Sequence, residues 1–265
     1  MDEGPAPGER LSVTVLGSSC SIPRPGRACS SYLVEGAGRA LVLDLGSGAL
    51  ANLHRHRRAE EIDAVFISHM HADHFLDVIP MRYALKYGDR TNDRKVALYL
   101  PPDGEAMLRG LVDAFARESG GDFLDEVFEV RTYEPADVVH IGDAAVRFAP
   151  TTHYIPTYAM RCDVAERSVT YSADTAPNAA VAALGLACEL FLCEATLRPS
   201  DLENGERGHL SAAEAAQLAQ RGNVRKLVLT HYPASTGAAE LRRLAAPWFD
   251  GEIAVADDND RLPAG

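Results

Sequence analysis

Short apolar runs separated by turn residues dominate the chain, and their spacing predicts alternating strands and helices. Strands are predicted over Leu11–Leu16, Ser31–Val34, Ala40–Leu45, Ala64–Ser68, Val96–Leu100, Ala145–Ala149, Tyr158–Asp163, Ser168–Ser172, Leu190–Cys193, Lys226–Thr230 and Glu252–Val255. Helical spacing predicts helices over Ala49–Arg57, Phe75–Tyr87, Glu105–Ala116, Asn178–Leu184, Ala212–Arg221 and Ala238–Leu244. The helix from Ala212 has the clearest start. Ser211 and Glu214 form an S-x-x-E capping box, in which each side chain satisfies a free backbone donor of the other. Strands come in succession first and alternate with helices later, a mixture that fits sheets covered by helices. No repeat in the sequence is strong enough to establish an internal duplication.

Composition narrows the class. With 265 residues and 46% hydrophobic content, the chain can bury a substantial core. It divides into a flexible, Gly/Pro-rich N-terminus over 1–10 and one domain over 11–265. No apolar run reaches the roughly eighteen residues of a membrane-crossing helix. The start, Met1 to Pro5, is polar and acidic, unlike a signal peptide. Cys20, Cys29, Cys162, Cys188 and Cys193 are scattered without a CxxC pair, which reads as reduced thiols in a cytoplasmic protein. The net charge of −12 argues against a broad nucleic-acid-binding surface, because neutralising phosphates takes clustered Lys and Arg. Arg55, Arg57 and Arg58 cluster near His54 and His56, a run that reads as a solvated helix face.

The chemistry concentrates in His69-Met-His71-Ala-Asp73-His74, directly after the apolar run Ala64 to Ser68. Buried without partners, such polar groups cost several kcal/mol each in desolvation, on the order of 2–7. Metal ions are the natural partners, since imidazole and carboxylate are common metal ligands. Further candidates follow predicted strands in the same way: His153, Asp174 and His231. Loops at one edge of a sheet hold chemistry on a rigid base. Seven ligands then converge: His69, His71, Asp73, His74, His153, Asp174 and His231.

His69-x-His71-x-Asp73-His74 resembles the signature of the metallo-β-lactamase superfamily. Asp44 in Leu43-Asp44-Leu45-Gly46, His153, Asp174 in Ser172-Ala173-Asp174-Thr175, and His231 agree with it in order along nearly the whole chain. The resemblance implies an α/β fold of the αββα sandwich type, two mixed β-sheets face to face with helices outside. It implies two divalent metal ions, usually Zn2+, with Mn2+ or Fe2+ also compatible with His/Asp ligands. His69, His71 and His153 would hold one ion, and Asp73, His74 and His231 the other, with Asp174 bridging. Asp44 would orient ligands or loops, or simply form a turn. Asp73 would also orient the attacking water. Two ions roughly 3.5–4 Å apart polarise an oxygen and lower the pKa of a bridging water toward 7.

Cys193-Glu194-Ala195-Thr196 followed by Gly208-His209-Leu210-Ser211 resembles ribonuclease Z and its relatives, as does Val15-Leu16-Gly17-Ser18-Ser19 near the start. The resemblance implies that His209 is a catalytic group on the phosphate side, and Glu194 is the residue expected to orient it. Ribonuclease Z carries an inserted RNA-gripping arm between its third metal histidine and its bridging aspartate; here only Tyr154 to Ala173 intervene. The chain therefore resembles compact, armless relatives, some of which hydrolyse cyclic nucleotides. The expectation is a phosphodiesterase acting on a small phosphodiester such as 3′,5′-cyclic AMP, not on nucleic acid or at a membrane, and assembled as a homodimer. A tRNA 3′-end endonuclease and an ester, lactone or thioester hydrolase stand as alternatives. A binding module without catalysis would commonly have lost some of the seven ligands. Tyr154, Ile155, Pro156 and Tyr158 form either a ring-binding wall or plain strand packing; Arg161 neutralises a phosphate or pairs with a carboxylate; Trp248 is expected in the core or an interface.

Overall fold

Alternation along the strands sets the layers. The computed structural model describes residues 11–89, 91–116, 122–201 and 206–264; the expected flexible segment 1–10 lies outside them. In β3 (Arg39–Leu45), Leu41 and Leu43 face one apolar cluster while Val42 and Leu45 face another. In β11 (Leu190–Glu194), Leu190 and Leu192 join the cluster of Leu41, whereas Phe191 and Cys193 join a third. The shared cluster is the core between two sheets, and the other two lie beneath helices. Strands covered on both faces bury nearly every residue, which is why they read as short continuous apolar runs.

The remaining strands are β1 (Ser12–Gly17), β2 (Ser31–Gly36), β4 (Ala64–Phe66), β5 (Val96–Leu100), β6 (Phe128–Thr132), β7 (Val138–Ile141), β8 (Ala144–Pro150), β9 (Tyr158–Val164), β10 (Arg167–Tyr171), β12 (Lys226–Thr230), β13 (Glu252–Val255) and β14 (Arg261–Pro263). They form two seven-stranded sheets, β14-β1-β2-β3-β4-β5-β6 and β13-β12-β11-β10-β9-β8-β7. Both sheets pass from antiparallel to parallel pairing, at β3 and at β10 respectively. The two sheets thus share one pattern of strand pairing that no repeat in the sequence announces. The helices are α1 (Ala49–Leu53), α2 (Ala72–Phe75), α3 (Val78–Tyr87), α4 (Gly104–Asp113), α5 (Ala179–Leu184), α6 (Ala212–Arg221) and α7 (Ala238–Ala245). The first four pack outside one sheet and the last three outside the other. This is the αββα sandwich of the metallo-β-lactamase fold.

Three strands went unrecognised in the sequence, β6, β7 and β14, and all are sheet edges. Edge strands have one flank in water, so their patterns are short and polar, and β14 ends in Pro263. The single helix expected over Phe75–Tyr87 is broken at Leu76-Asp77. Pro80 has no N–H to offer the carbonyl of Leu76, four residues earlier, so the α-helical ladder cannot cross there. The helix expected over Ala49–Arg57 ends at Leu53, and Trp248 is exposed rather than in the core. None of the cysteines is paired. Among the described residues, no helix is long and apolar enough to cross a membrane.

Two buried tyrosines tie the sheets together behind one end of the sandwich. Tyr32 of β2 shares a hydrogen bond of 2.7 Å with Thr230 Oγ1 of β12. Tyr171 of β10 donates to Asp44 Oδ2 of β3 at 2.9 Å. Their rings lie 4.8 Å apart.

Candidate metal centre

Every candidate ligand sits just beyond the C-terminal end of a strand, or on the short helix that follows one. His69 and His71 follow β4, and Asp73 and His74 lie on α2. His153 follows β8, Asp174 follows β10, and His231 follows β12. Three of the turns are in left-handed backbone conformation without glycine: Asp44 (φ 56°), Ala173 (φ 50°) and His231 (φ 48°). Such backbone is sparsely populated for these residues and clusters at functional sites. Here it turns Asp174 and His231 inward at the strand ends.

The seven side chains meet. His71 Nδ1 lies 3.1 Å from His69 Nε2 and 3.0 Å from His153 Nε2. Asp174 Oδ2 is 3.7 Å from His69 Nε2 and 3.8 Å from His153 Nε2. The other group is equally close: Asp73 Oδ2 is 3.3 Å from His231 Nε2 and 3.5 Å from His74 Nε2. Asp174 reaches it too, with Oδ2 3.4 Å from His74 Nε2 and Oδ1 3.5 Å from His231 Nε2. Two ligand sets therefore share one carboxylate. Ligands at about 2.0–2.1 Å around a tetrahedral ion are about 3.3 Å from one another, in the range seen here.

Hydrogen bonds on the far side of the rings aim the lone pairs inward. His153 Nδ1 donates to the Gly208 carbonyl at 2.8 Å, so its Nε2 carries the lone pair. His74 Nδ1 faces Asp44 Oδ2 at 2.7 Å, with the same consequence. Ser68 Oγ lies 2.9 Å from His69 Nδ1, and Thr196 Oγ1 lies 2.9 Å from His231 Nδ1. Partners of this kind orient metal-binding imidazoles. Asp44 is fully buried and accepts four bonds, adding Ser68 N at 2.7 Å and Ser68 Oγ at 2.8 Å to His74 and Tyr171.

Two buried polar atoms in the cluster have no hydrogen-bond partner, His74 Nε2 and Asp174 Oδ1. Both face the shared space, and a cation there would satisfy both. The donor set fits a pair of divalent ions, and a buried carboxylate ringed by imidazoles has no other evident use. Burial pushes the imidazoles of His69, His71 and His153 below their ordinary values, whereas at His74 burial is outweighed by Asp174 and Asp44, which raise it well above its own; a divalent ion would take the place of that proton on Nε2. Burial works the other way on Asp174, but His231 and His74 hold it ionised, well below the usual carboxylate range.

His209 precedes α6 at the open side of the cluster. Its Nδ1 lies 3.0 Å from Oε1 of the fully buried Glu194, at the end of β11, and 3.9 Å from Asp174 Oδ2. Glu194 is held by Thr175 N at 2.6 Å and Thr196 Oγ1 at 2.7 Å. Burial opposes the charge on His209, but Glu194 and Asp174 prevail and raise it to about 9.

Residues 39–232 match the family model of the β-lactamase superfamily domain. The chain belongs to that superfamily. It is 33% identical over 252 residues to an uncharacterized protein of Mycobacterium leprae, covering 92% of this chain and 85% of the relative. It is 28% identical over 250 residues to a Bacillus subtilis protein named a probable metallo-hydrolase, YhfI, covering 93% and 97%. The crystal structure of YhfI superposes with a TM-score of 0.84 at 25% identity, covering 96% of this chain and all of that one. Ribonuclease Z of Haloferax volcanii is 26% identical over 306 aligned residues, covering 95% and 94%. The chain thus falls in the ribonuclease Z-like branch of the superfamily, whose metallo-hydrolases use divalent metal ions.

Some supporting residues were not legible in the sequence. Tyr171 and Ser68 carry no motif of their own, Thr196 belongs to one but its bond to His231 does not show in it, and the Gly208 carbonyl is invisible as a partner until the fold is known. Arg161 is settled the ordinary way: it pairs with Asp163 at 2.9 Å and donates to the carbonyls of Leu184 and Leu186. Arg57 pairs with Glu35 at 2.7 Å.

Proposed function

We propose that the chain is a dinuclear metal-dependent phosphodiesterase acting on a small phosphodiester such as 3′,5′-cyclic AMP. His69, His71 and His153 would hold one ion, Asp73, His74 and His231 the other, and Asp174 both. When bound, such ions polarise a phosphoryl oxygen and lower the pKa of a bound water. Asp73 would orient that water; its Oδ2 also accepts a bond from Ser21 N at 2.8 Å, which fixes the carboxylate.

The carrying observation is the His209–Glu194 pair beside the shared Asp174. Glu194 engages Nδ1 of the ring and favours its protonated form, leaving Nε2 to give a proton to the leaving ester oxygen. A general acid at this position suits a poor leaving group such as the ribose alkoxide of a phosphodiester. The segment between His153 and Asp174 supports a small substrate. Its residues make a tight loop and the β9–β10 hairpin inside the sheet, with no protruding arm. The 306-position alignment with ribonuclease Z exceeds this chain's 265 residues, so that relative carries inserted residues. A second reading, tRNA 3′-end cleavage, is favoured by the extent of that same alignment.

One experiment separates them. Protein loaded with zinc, and separately with manganese, is given 3′,5′-cyclic AMP or a precursor tRNA with a 3′ trailer, with Asp174→Ala as the blank. Cleavage of the cyclic nucleotide that vanishes in the variant is the expected result. Trailer cleavage alone supports the second reading. Silence on both with metals bound overturns the phosphodiesterase reading for these substrates. The reading takes zinc as the native metal and a homodimer as the assembled state, tested by metal analysis and sedimentation.

A further inference from the structure

Tyr154 stands out beside the metal centre. It is the residue after the ligand His153, yet its side chain is 62% exposed, among the most exposed of the large hydrophobic residues. Exposing an aromatic ring forgoes the burial that usually stabilises it, roughly 25 cal/mol per Å² of apolar surface. Its position is nevertheless set. The ring centroid lies 5.0 Å from that of His153 and 5.9 Å from that of His209. A side chain at Gly208 would approach Tyr154 Cε2 to 2.9 Å, so glycine there is what lets the ring settle against the backbone.

The loop that carries Tyr154 is closed and pinned. Thr151 N donates to the Thr157 carbonyl at 2.9 Å, and Thr157 Oγ1 donates to the Ile155 carbonyl at 2.9 Å. Tyr158 N donates to the Ser68 carbonyl at 3.2 Å, which joins the loop to the histidine-rich segment of the other sheet. Beside the ring is an open pocket of about 300 Å³ lined by His153, Tyr154, Pro156 and Tyr158 among others. That is at the small end of the ~300–1,000 Å³ typical of small-molecule sites. Thr151 and Thr157 in its lining spend their hydroxyls on the carbonyls of Asp174 and Ile155, and Tyr154 presents a flat π-face, which accepts any planar ring.

We propose that Tyr154 is a stacking platform for the nucleobase of a nucleotide substrate, either a mononucleotide or the terminal nucleotide of an RNA. The inference rests on the phosphodiesterase reading: a phosphate seated between His209 and the ligand cluster leaves its sugar and base to emerge along the wall that begins at Tyr154. The platform selects for the presence of a base, with little preference among bases.

The test uses the metal-loaded full chain as wild type, Tyr154→Phe and Tyr154→Ala, with metal content measured for each. Substrates are 3′,5′-cyclic AMP, base-free ribose 3′,5′-cyclic phosphate and a short RNA. Base–aromatic stacking is worth about 1–3 kcal/mol, so Tyr154→Ala should lower kcat/KM for the base-containing substrate by roughly 5- to 150-fold. Turnover of the base-free phosphate should not change, and Tyr154→Phe should restore the wild-type ratio. Whether the loss falls on cyclic AMP or on the RNA identifies the source of the base. Equal losses on the base-free and base-containing phosphates, or no loss on either, overturn the proposal. Calorimetric binding of 5′-AMP to the loaded protein needs no turnover. Binding that weakens in Tyr154→Ala upholds the platform even if no phosphodiester is cleaved, in which case only the functional reading fails. Absence of AMP binding in the wild type, with metals present, overturns the platform itself.

Discussion

Replacing Asp44 by Asn should remove one metal ion and spare the other. The carboxylate is fully buried and accepts from Ser68 N, Ser68 Oγ, His74 Nδ1 and Tyr171 Oη at 2.7–2.9 Å. Asparagine keeps one acceptor oxygen and puts an NH₂ group where the other stood. If its oxygen takes the backbone N–H of Ser68, the two hydroxyls can rotate to accommodate the amide. The Nδ1–H of His74 cannot, because it now meets another donor. The ring escapes only by moving its proton to Nε2, and that atom is the one aimed at Asp73 and Asp174. A protonated Nε2 cannot be a ligand. Leaving the donors opposed costs about 1–3 kcal/mol, and losing an outer partner of a ligating histidine costs about 10–100-fold in metal affinity. The two figures agree, since a factor of ten is about 1.4 kcal/mol. The assay is chelator competition on zinc-loaded protein, with circular dichroism to show that the fold is kept. The ion held by Asp73, His74 and His231 should leave at roughly 10–100-fold lower chelator than in the wild type, and the ion held by His69, His71 and His153 should stay. Equal retention of both ions, or loss of both together, would refute the tautomer argument.

Three further outcomes follow from the geometry. Tyr32→Phe strands the buried hydroxyl of Thr230 between the sheets and should lower stability by about 1–3 kcal/mol in urea unfolding; an unchanged midpoint would mean that the inter-sheet bond carries no net weight. Gly208→Ala places a Cβ 2.7 Å from His153 Nδ1, where it must displace the ring from its carbonyl partner, so chelator should strip the His69–His71–His153 ion first in this variant. Burial disfavours the charge on Glu214, but Arg207 and Ser211 overcome it and hold the carboxyl below its ordinary 4.5. A depressed carboxyl stabilises the fold above its unfolded value and loses that contribution as pH falls through the folded one. The stability gap between wild type and Glu214→Gln should therefore be level near neutrality and shrink as pH falls below about 4.5; a gap that does not shrink with acidification counts against the capping-box account.

Local rules made much of this protein legible. A strand covered on both faces must be apolar along its length, so the central strands stand out as short hydrophobic runs, and the polar groups at their ends are conspicuous because nothing in a core needs them. The dense His69–His74 segment, the capped start of α6 and the ligand candidates at strand ends are all features of neighbouring residues. What only the tertiary structure decided joins residues far apart. Tyr171 and Asp44 are 127 positions apart and Tyr32 and Thr230 are 198, yet these bonds link the sheets behind the ligands. The pairing of His209 with Glu194 is expected from the sequence, but its geometry is made by a loop meeting the end of β11. The three missed strands are edges whose only order comes from the one neighbour they pair with. Tyr154 looks in the sequence like any strand-flanking aromatic; its exposure beside the histidines follows from the closed turn at 151–157 and the missing side chain at Gly208. Periodicity reports which faces are buried, because burial is imposed residue by residue. It says nothing of which buried groups will meet, because that is set by how the two sheets stack.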